Sequence, residues 1–100
     1  MDGPVVIRVL GQALMPPFER AMYIAEYDND RYDGEGWARL TYDVDEALRF
    51  LDGGAAMEAW RSPSTVRPTR VGFDGRPNRP LTKYTCEFLS YEAAKAEDAR

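Results

Sequence analysis

Four carboxylates fall within the eight residues Asp28-Asn29-Asp30-Arg31-Tyr32-Asp33-Gly34-Glu35. Hard cations such as calcium take several oxygens from one short loop, so this stretch is the first candidate for metal chemistry. The EF-hand pattern fails, because the sixth position is Asp33 where glycine is needed and the twelfth is Arg39 where glutamate is needed. A solvated hairpin tip is the expected reading. The single thiol, Cys86, has no histidine anywhere in the chain to activate it, and a nucleophilic cysteine needs a nearby base or cation. Alternation with Tyr84 and Phe88 places it on a core face instead. Carboxylate pairs drawn from Glu26, Asp43 and Asp45 form no recognisable acid–base motif, and Asp43 is already required as a helix cap. Neither catalytic residues nor a cofactor are expected, and the chain is not read as an enzyme.

A second kind of chemistry is charge recognition. Residues 1–60 hold 5 Lys/Arg against 12 Asp/Glu, whereas residues 61–83 hold 6 against 1, within a net charge of −4. The second segment is a basic belt on an acidic protein. Its prolines, Pro63, Pro68, Pro77 and Pro80, restrict regular structure and lower the ordering cost of binding. Arginine is enriched at binding hot spots. Arg67, Arg70, Arg76 and Arg79 are therefore the candidate partner-binding residues. The plainer reading is that these arginines pair with the protein's own Asp and Glu, or that belt and acidic face meet between two copies.

The elements that must hold these groups follow from pattern. Val5 to Leu10 is rich in β-branched residues and bounded by turn formers, which predicts a buried strand. Met15-Pro16-Pro17-Phe18 is loop. Ala21 to Tyr27 alternates, with Ala21, Tyr23, Ala25 and Tyr27 on one face and Met22, Ile24 and Glu26 on the other. Trp37 to Tyr42 is a third strand, paired with the second as a hairpin. Asp43 and Glu46 form a capping box, and Val44, Ala47, Leu48 and Leu51 make one apolar helical face. Gly53-Gly54 breaks that helix, and Asp52 caps a second, reaching Arg61. Val66 to Phe73 is a weak edge strand, and Thr82 to Leu89 a strand with Tyr84, Cys86 and Phe88 on one face. Trp37 and Trp60 are core anchors. The tail 91–100 has almost no apolar face and is expected to be a frayed helix or disordered.

The order β-β-β-α-α-β predicts an α+β fold, an antiparallel sheet of about four strands with two short helices packed on one face. One hundred residues make a single domain, expected over 1–90. A hydrophobic content of 44% with 30% charged residues is that of a folded chain and not a disordered one. No apolar run approaches the roughly 20 residues of a membrane span. The opening MDGPVVIRVLGQAL lacks the pattern of a signal peptide. With a single cysteine, these features lead to the expectation of a reducing, cytoplasmic setting.

The segment Trp37 to Trp60 also carries a resemblance. Trp37, Thr41, Asp43, Ala47, Arg49 and Phe50, then Ala56 and Trp60, are similar to a module of small bacteriophage and prophage proteins. In that module a hairpin leads into two short helices and a closing strand. Asp74-Gly75-Arg76-Pro77-Asn78-Arg79-Pro80-Leu81-Thr82 resembles a stretch of small actinobacteriophage proteins. Gly53-Gly54 departs from the helix-favouring residues of the module, which bears on where the second helix starts. The resemblance covers roughly residues 21–89 and implies origin and scaffold, with no reaction and no catalytic residue to carry over.

The leading expectation is a phage-encoded accessory protein in the host cytoplasm that binds a host protein, with inhibition of host growth as one outcome and self-association as a homodimer as another. The alternative is a nucleic-acid-associated regulator. In it the arginines contact phosphates and Tyr84 or Phe73 stacks on bases, against the opposing charge of the first sixty residues. A third reading is a virion or assembly component.

Overall fold

A computed structural model describes residues 3–69 and 76–98. Its centre is strand β1 (Val5–Gln12), which has neighbours on both sides. Strand β2 (Met22–Asp28) and then β3 (Trp37–Thr41) lie to one side and β4 (Tyr84–Ser90) to the other. All pairings are antiparallel and the order is β3-β2-β1-β4. The fold is α+β, with the four-stranded antiparallel sheet that the pattern of the chain predicts.

A β-branched run in the sheet centre buries both of its faces. Val5, Ile7 and Val9 point to one side and Val6 to the other, all with 0% exposure. The first side is covered by helix α2 (Gly53–Arg61) and a 3-10 turn, Pro80–Lys83, which contribute Ala56 and Leu81 to a core with Ile24 and Tyr84. Asp52 caps α2 as expected, accepting from the Ala55 N–H at 2.8 Å. Trp60 anchors this side edge-on to Phe88, with ring centres 6.1 Å apart, and Cys86 packs beside it.

The second side carries a smaller cluster of Val6, Tyr23, Val44, Ala47 and Ala94. Ala94 belongs to helix α3 (Tyr91–Asp98), so residues expected to be frayed or disordered instead form a docked helix. Its apolar face is too small to signal docking in the sequence. Polar contacts hold it: Arg8, braced by Glu87 of β4, binds Glu97, the Tyr23 hydroxyl donates to Asp98 at 3.3 Å, and Asp45 receives both Tyr91 and Lys95. Helical structure thus lies against both faces of the sheet.

Four further expectations change. The helix foreseen from Asp43 is a single 3-10 turn, Val44–Glu46. Glu46 accepts from the Thr41 hydroxyl at 2.8 Å and does not close a capping box. The backbone beyond it bonds to the sheet instead, with Leu48 N–H to the Ile24 carbonyl and Phe50 exchanging two bonds with Val5. Leu51 is consequently exposed. A short segment gains little from helix formation alone, and tertiary backbone partners outcompete it. In β2, a register shift between Ile24 and Glu26 moves Tyr27 to the Ile24 side, while Tyr23 stays on the other. A β-bulge does this by adding one residue to the strand. Trp37, expected in the core, lies at the sheet edge with the Arg31 guanidinium 4.1 Å above its ring. Of the weak strand foreseen at 66–73, the described part forms only an isolated bridge between Thr69 and Pro77; residues 70–75 lie outside the described ones.

Candidate docking surface

The acidic loop and the basic belt meet. β2 ends at Asp28, whose carboxylate accepts from the Asp30 N–H at 3.0 Å and so starts the turn. The chain then enters a single helical turn, α1 (Arg31–Gly34), in which Tyr32 and Asp33 both take left-handed backbone angles (φ 57° and 58°). Gly34 (φ 90°) and Gly36 (φ 85°) complete the reversal. Both sites require glycine. A Cβ at Gly34 would lie 2.5 Å from the Arg67 Cβ, and one at Gly36 would lie 2.3 Å from the Pro80 Cβ. The hairpin tip is therefore pressed between residues 64–67 and residues 78–80.

Asp30 is the clasp. Its carboxylate accepts from the Ser64 hydroxyl (2.8 Å), the Thr65 N–H (2.6 Å), the Thr65 hydroxyl (2.5 Å) and the Val66 N–H (3.3 Å). The Thr65 hydroxyl, then the Ser64 hydroxyl and the Thr65 N–H, stabilise the anion and hold the carboxyl down at about 2. Ser64 is fully buried and also accepts from the Arg67 N–H at 3.1 Å. Asn78 ties in the third loop. Its side-chain amide donates to the carbonyls of Gly34 (2.6 Å) and Arg67 (2.9 Å). Its backbone bonds Ser64 and Pro68.

The four candidate arginines separate. Arg67 pairs with Asp33 at 2.8 Å, which is the internal pairing that the plainer reading of the belt foresaw. Arg76 is exposed. Arg79 is half-buried, and its Nε is sealed from solvent with no acceptor among the described residues. Arg70 lies outside the described residues. The structure brings Arg67 and Asn78 to one point, with Arg79 next in the chain, but the arginines do not form a continuous track. What stands out at this end is apolar and aromatic: Tyr32, 65% exposed, and Val66, 59% exposed, are the chain neighbours of the two partners in the Asp33–Arg67 bridge. Beside them a cavity of about 550 Å³ is lined by Tyr27, Asp28, Asn29, Pro63 and Thr65.

Three of the four carboxylates considered for calcium have internal partners. Asp30 serves the belt, Asp33 serves Arg67, and Asp28 holds the turn with Arg31 3.8 Å away. Among the described residues no three His, Cys, Asp or Glu side chains converge as metal ligands, and no helix is long and apolar enough to cross a membrane. Burial pushes the Cys86 thiol up to about 12, with Trp60 working the other way, so the thiol stays protonated at neutral pH.

Asp30, Ser64 and Asn78 were not legible as a site in the chain. Their contacts span 34 to 44 residues, and no local pattern links them. The one available signal was Gly34-Glu35-Gly36, two glycines spaced to permit repeated reversal. Comparison with known proteins finds no matching family model, no matching curated relative and no matching solved structure.

Proposed function

We propose that the chain is a small binding module that docks onto another protein through the end built by residues 30–36, 64–67 and 76–80. The observation that carries this reading is the exposure of Tyr32 and Val66 on loops whose backbones are already locked by Asp30, Ser64 and Asn78. A locked loop has little conformational entropy left to lose on binding, and tyrosine and arginine are the residue types that dominate binding energy. Arg61 and Arg76, exposed in the same basic segment, favour a partner with an acidic face. On the reading of the chain as a phage accessory protein, that partner is a host protein and the setting is the host cytoplasm. No chemistry of the chain's own is required.

Affinity capture from a bacterial host lysate tests this, with the wild type beside a Tyr32→Ser, Val66→Ser variant of unchanged circular dichroism. The expected result is one stoichiometric protein held by the wild type and lost at least tenfold in the variant. Recovery of no protein, or equal recovery by both, overturns the reading. Retention of the wild type on duplex or single-stranded DNA, weakening with salt, would replace the protein partner with a nucleic acid.

A further inference from the structure

At the other end of β2, the loop from β1 carries an apolar knob. Leu14 is fully exposed and Met15 is 63% exposed. Leu14 also holds a left-handed backbone (φ 64°), a conformation that is strained for a bulky residue where nothing compensates. The loop is nevertheless firmly held. The Ala13 N–H donates to the Lys83 carbonyl (2.8 Å), the Met15 N–H to the Gln12 carbonyl (3.2 Å) and the Phe18 N–H to the Leu10 carbonyl (2.9 Å). Phe18 packs onto the main core. Pro16 and Pro17 stiffen the segment between, and Gly11 lets Pro17 approach: a Cβ there would sit 3.2 Å from the Pro17 Cα.

Next to the knob is a hole. A mainly apolar cavity of about 230 Å³ is lined by Leu10, Gly11, Gln12, Met15, Pro17 and Thr85. Because a cavity of about 150 Å³ accepts a benzene molecule, this one has room for a leucine side chain. Leu14 belongs to the same loop and does not fill it. Knob and adjoining hole on one patch are what a two-fold interface needs, since each copy must present both halves of the contact.

We propose that this face is an interface between two copies of the chain, in which Leu14 of each copy enters the Leu10–Pro17–Thr85 cavity of the other. The contact is independent of the docking end and leaves Tyr32 and Val66 free in both copies, so the dimer would be bivalent for its partner. Two small patches make a transient dimer, as interfaces below about 1,200 Å² usually are. Half-association is expected at a protein concentration on the order of 0.1–1 mM.

The test is dilution of isotopically labelled full-length protein from 1 mM to 20 µM, followed by NMR and by sedimentation. Backbone signals of Leu10, Leu14, Met15 and Thr85 are expected to shift together, and the sedimentation coefficient to rise toward that of a dimer. Leu14→Glu removes the knob and Thr85→Trp blocks the hole; each is expected to abolish the concentration dependence with unchanged thermal stability. A wild type that stays monomeric at 1 mM, or a dimer that survives both substitutions, overturns the proposal. So does a Leu14 signal that responds to vesicles of anionic phospholipid but not to protein concentration, which would assign the knob to a lipid surface.

Discussion

Two loops flank β2, and both hold non-glycine residues in the left-handed region. In the loop after β2, Tyr32 and Asp33 (φ 57° and 58°) are backed by side-chain bonds from two distant segments. In the loop before it, Leu14 (φ 64°) is backed only by backbone bonds to its own neighbours and to Lys83. The first loop turns its polar groups inward and, together with the 64–67 segment it grips, leaves an aromatic and a valine outside. The second leaves Leu14 wholly in water. Local strain persists only where the surroundings over-determine it. The comparison shows two ways of meeting that condition, one by a long-range polar clasp and one by a short stiff turn.

The sharpest way to break the first loop is steric. Gly36→Ala places a methyl group against Pro80 and forces a side chain into φ 85°. It is expected to cost roughly 2–4 kcal/mol in urea unfolding, with Gly34→Ala close behind through its clash with Arg67. Next comes the clasp. Ser64→Ala removes a buried hydroxyl that donates to Asp30 and accepts from Arg67, and a loss of about 1–2 kcal/mol is expected. The smallest stability effect belongs to the second loop and has the opposite sign. Leu14→Gly relieves the left-handed strain and is expected to raise stability by up to about 1 kcal/mol. If Leu14→Gly instead destabilises the fold, the leucine side chain makes a stabilising contact in solution.

Acidity separates the loops further. The Asp30 carboxyl is held at about 2, below its ordinary 3.8. Its contribution to stability is therefore complete above about pH 4 and is lost as pH falls toward 2. The wild type is expected to lose more thermal stability over that window than Asp30→Asn, in a comparison of melting temperatures at matched ionic strength. Equal slopes would show that the clasp works the same with a neutral side chain. Leu14→Gly leaves the Asp30 clasp untouched and is expected to follow the wild-type slope.

Much of the scaffold was legible along the chain. β1 announces itself through five β-branched or apolar residues in the six positions Val5–Leu10, broken only by Arg8, and β4 through the alternation of Tyr84, Cys86 and Phe88. The Asp52 cap and the Trp60 anchor follow from local spacing. Where the reading fails, a long-range partner wins. Residues 44–51 have helical periodicity but bond to Val5 and Ile24. Residues 91–98 have almost no apolar face, yet Arg8, Tyr23 and Asp45 fasten them to the sheet. The candidate arginines follow from charge, proline spacing and residue type, and none of these says which of them meets Asp33.

The sequence by itself determined the α+β class, the antiparallel sheet and the separation of acidic and basic segments, because periodicity and charge are local properties. Only the tertiary structure decided that the two segments close on each other through Asp30, Ser64 and Asn78, and that Tyr32, Val66 and Leu14 are among the apolar side chains left outside. A carboxylate 34 residues from its donors finds them only when the sheet has brought both loops to the same end. A left-handed residue other than glycine is held only once its neighbours are in place.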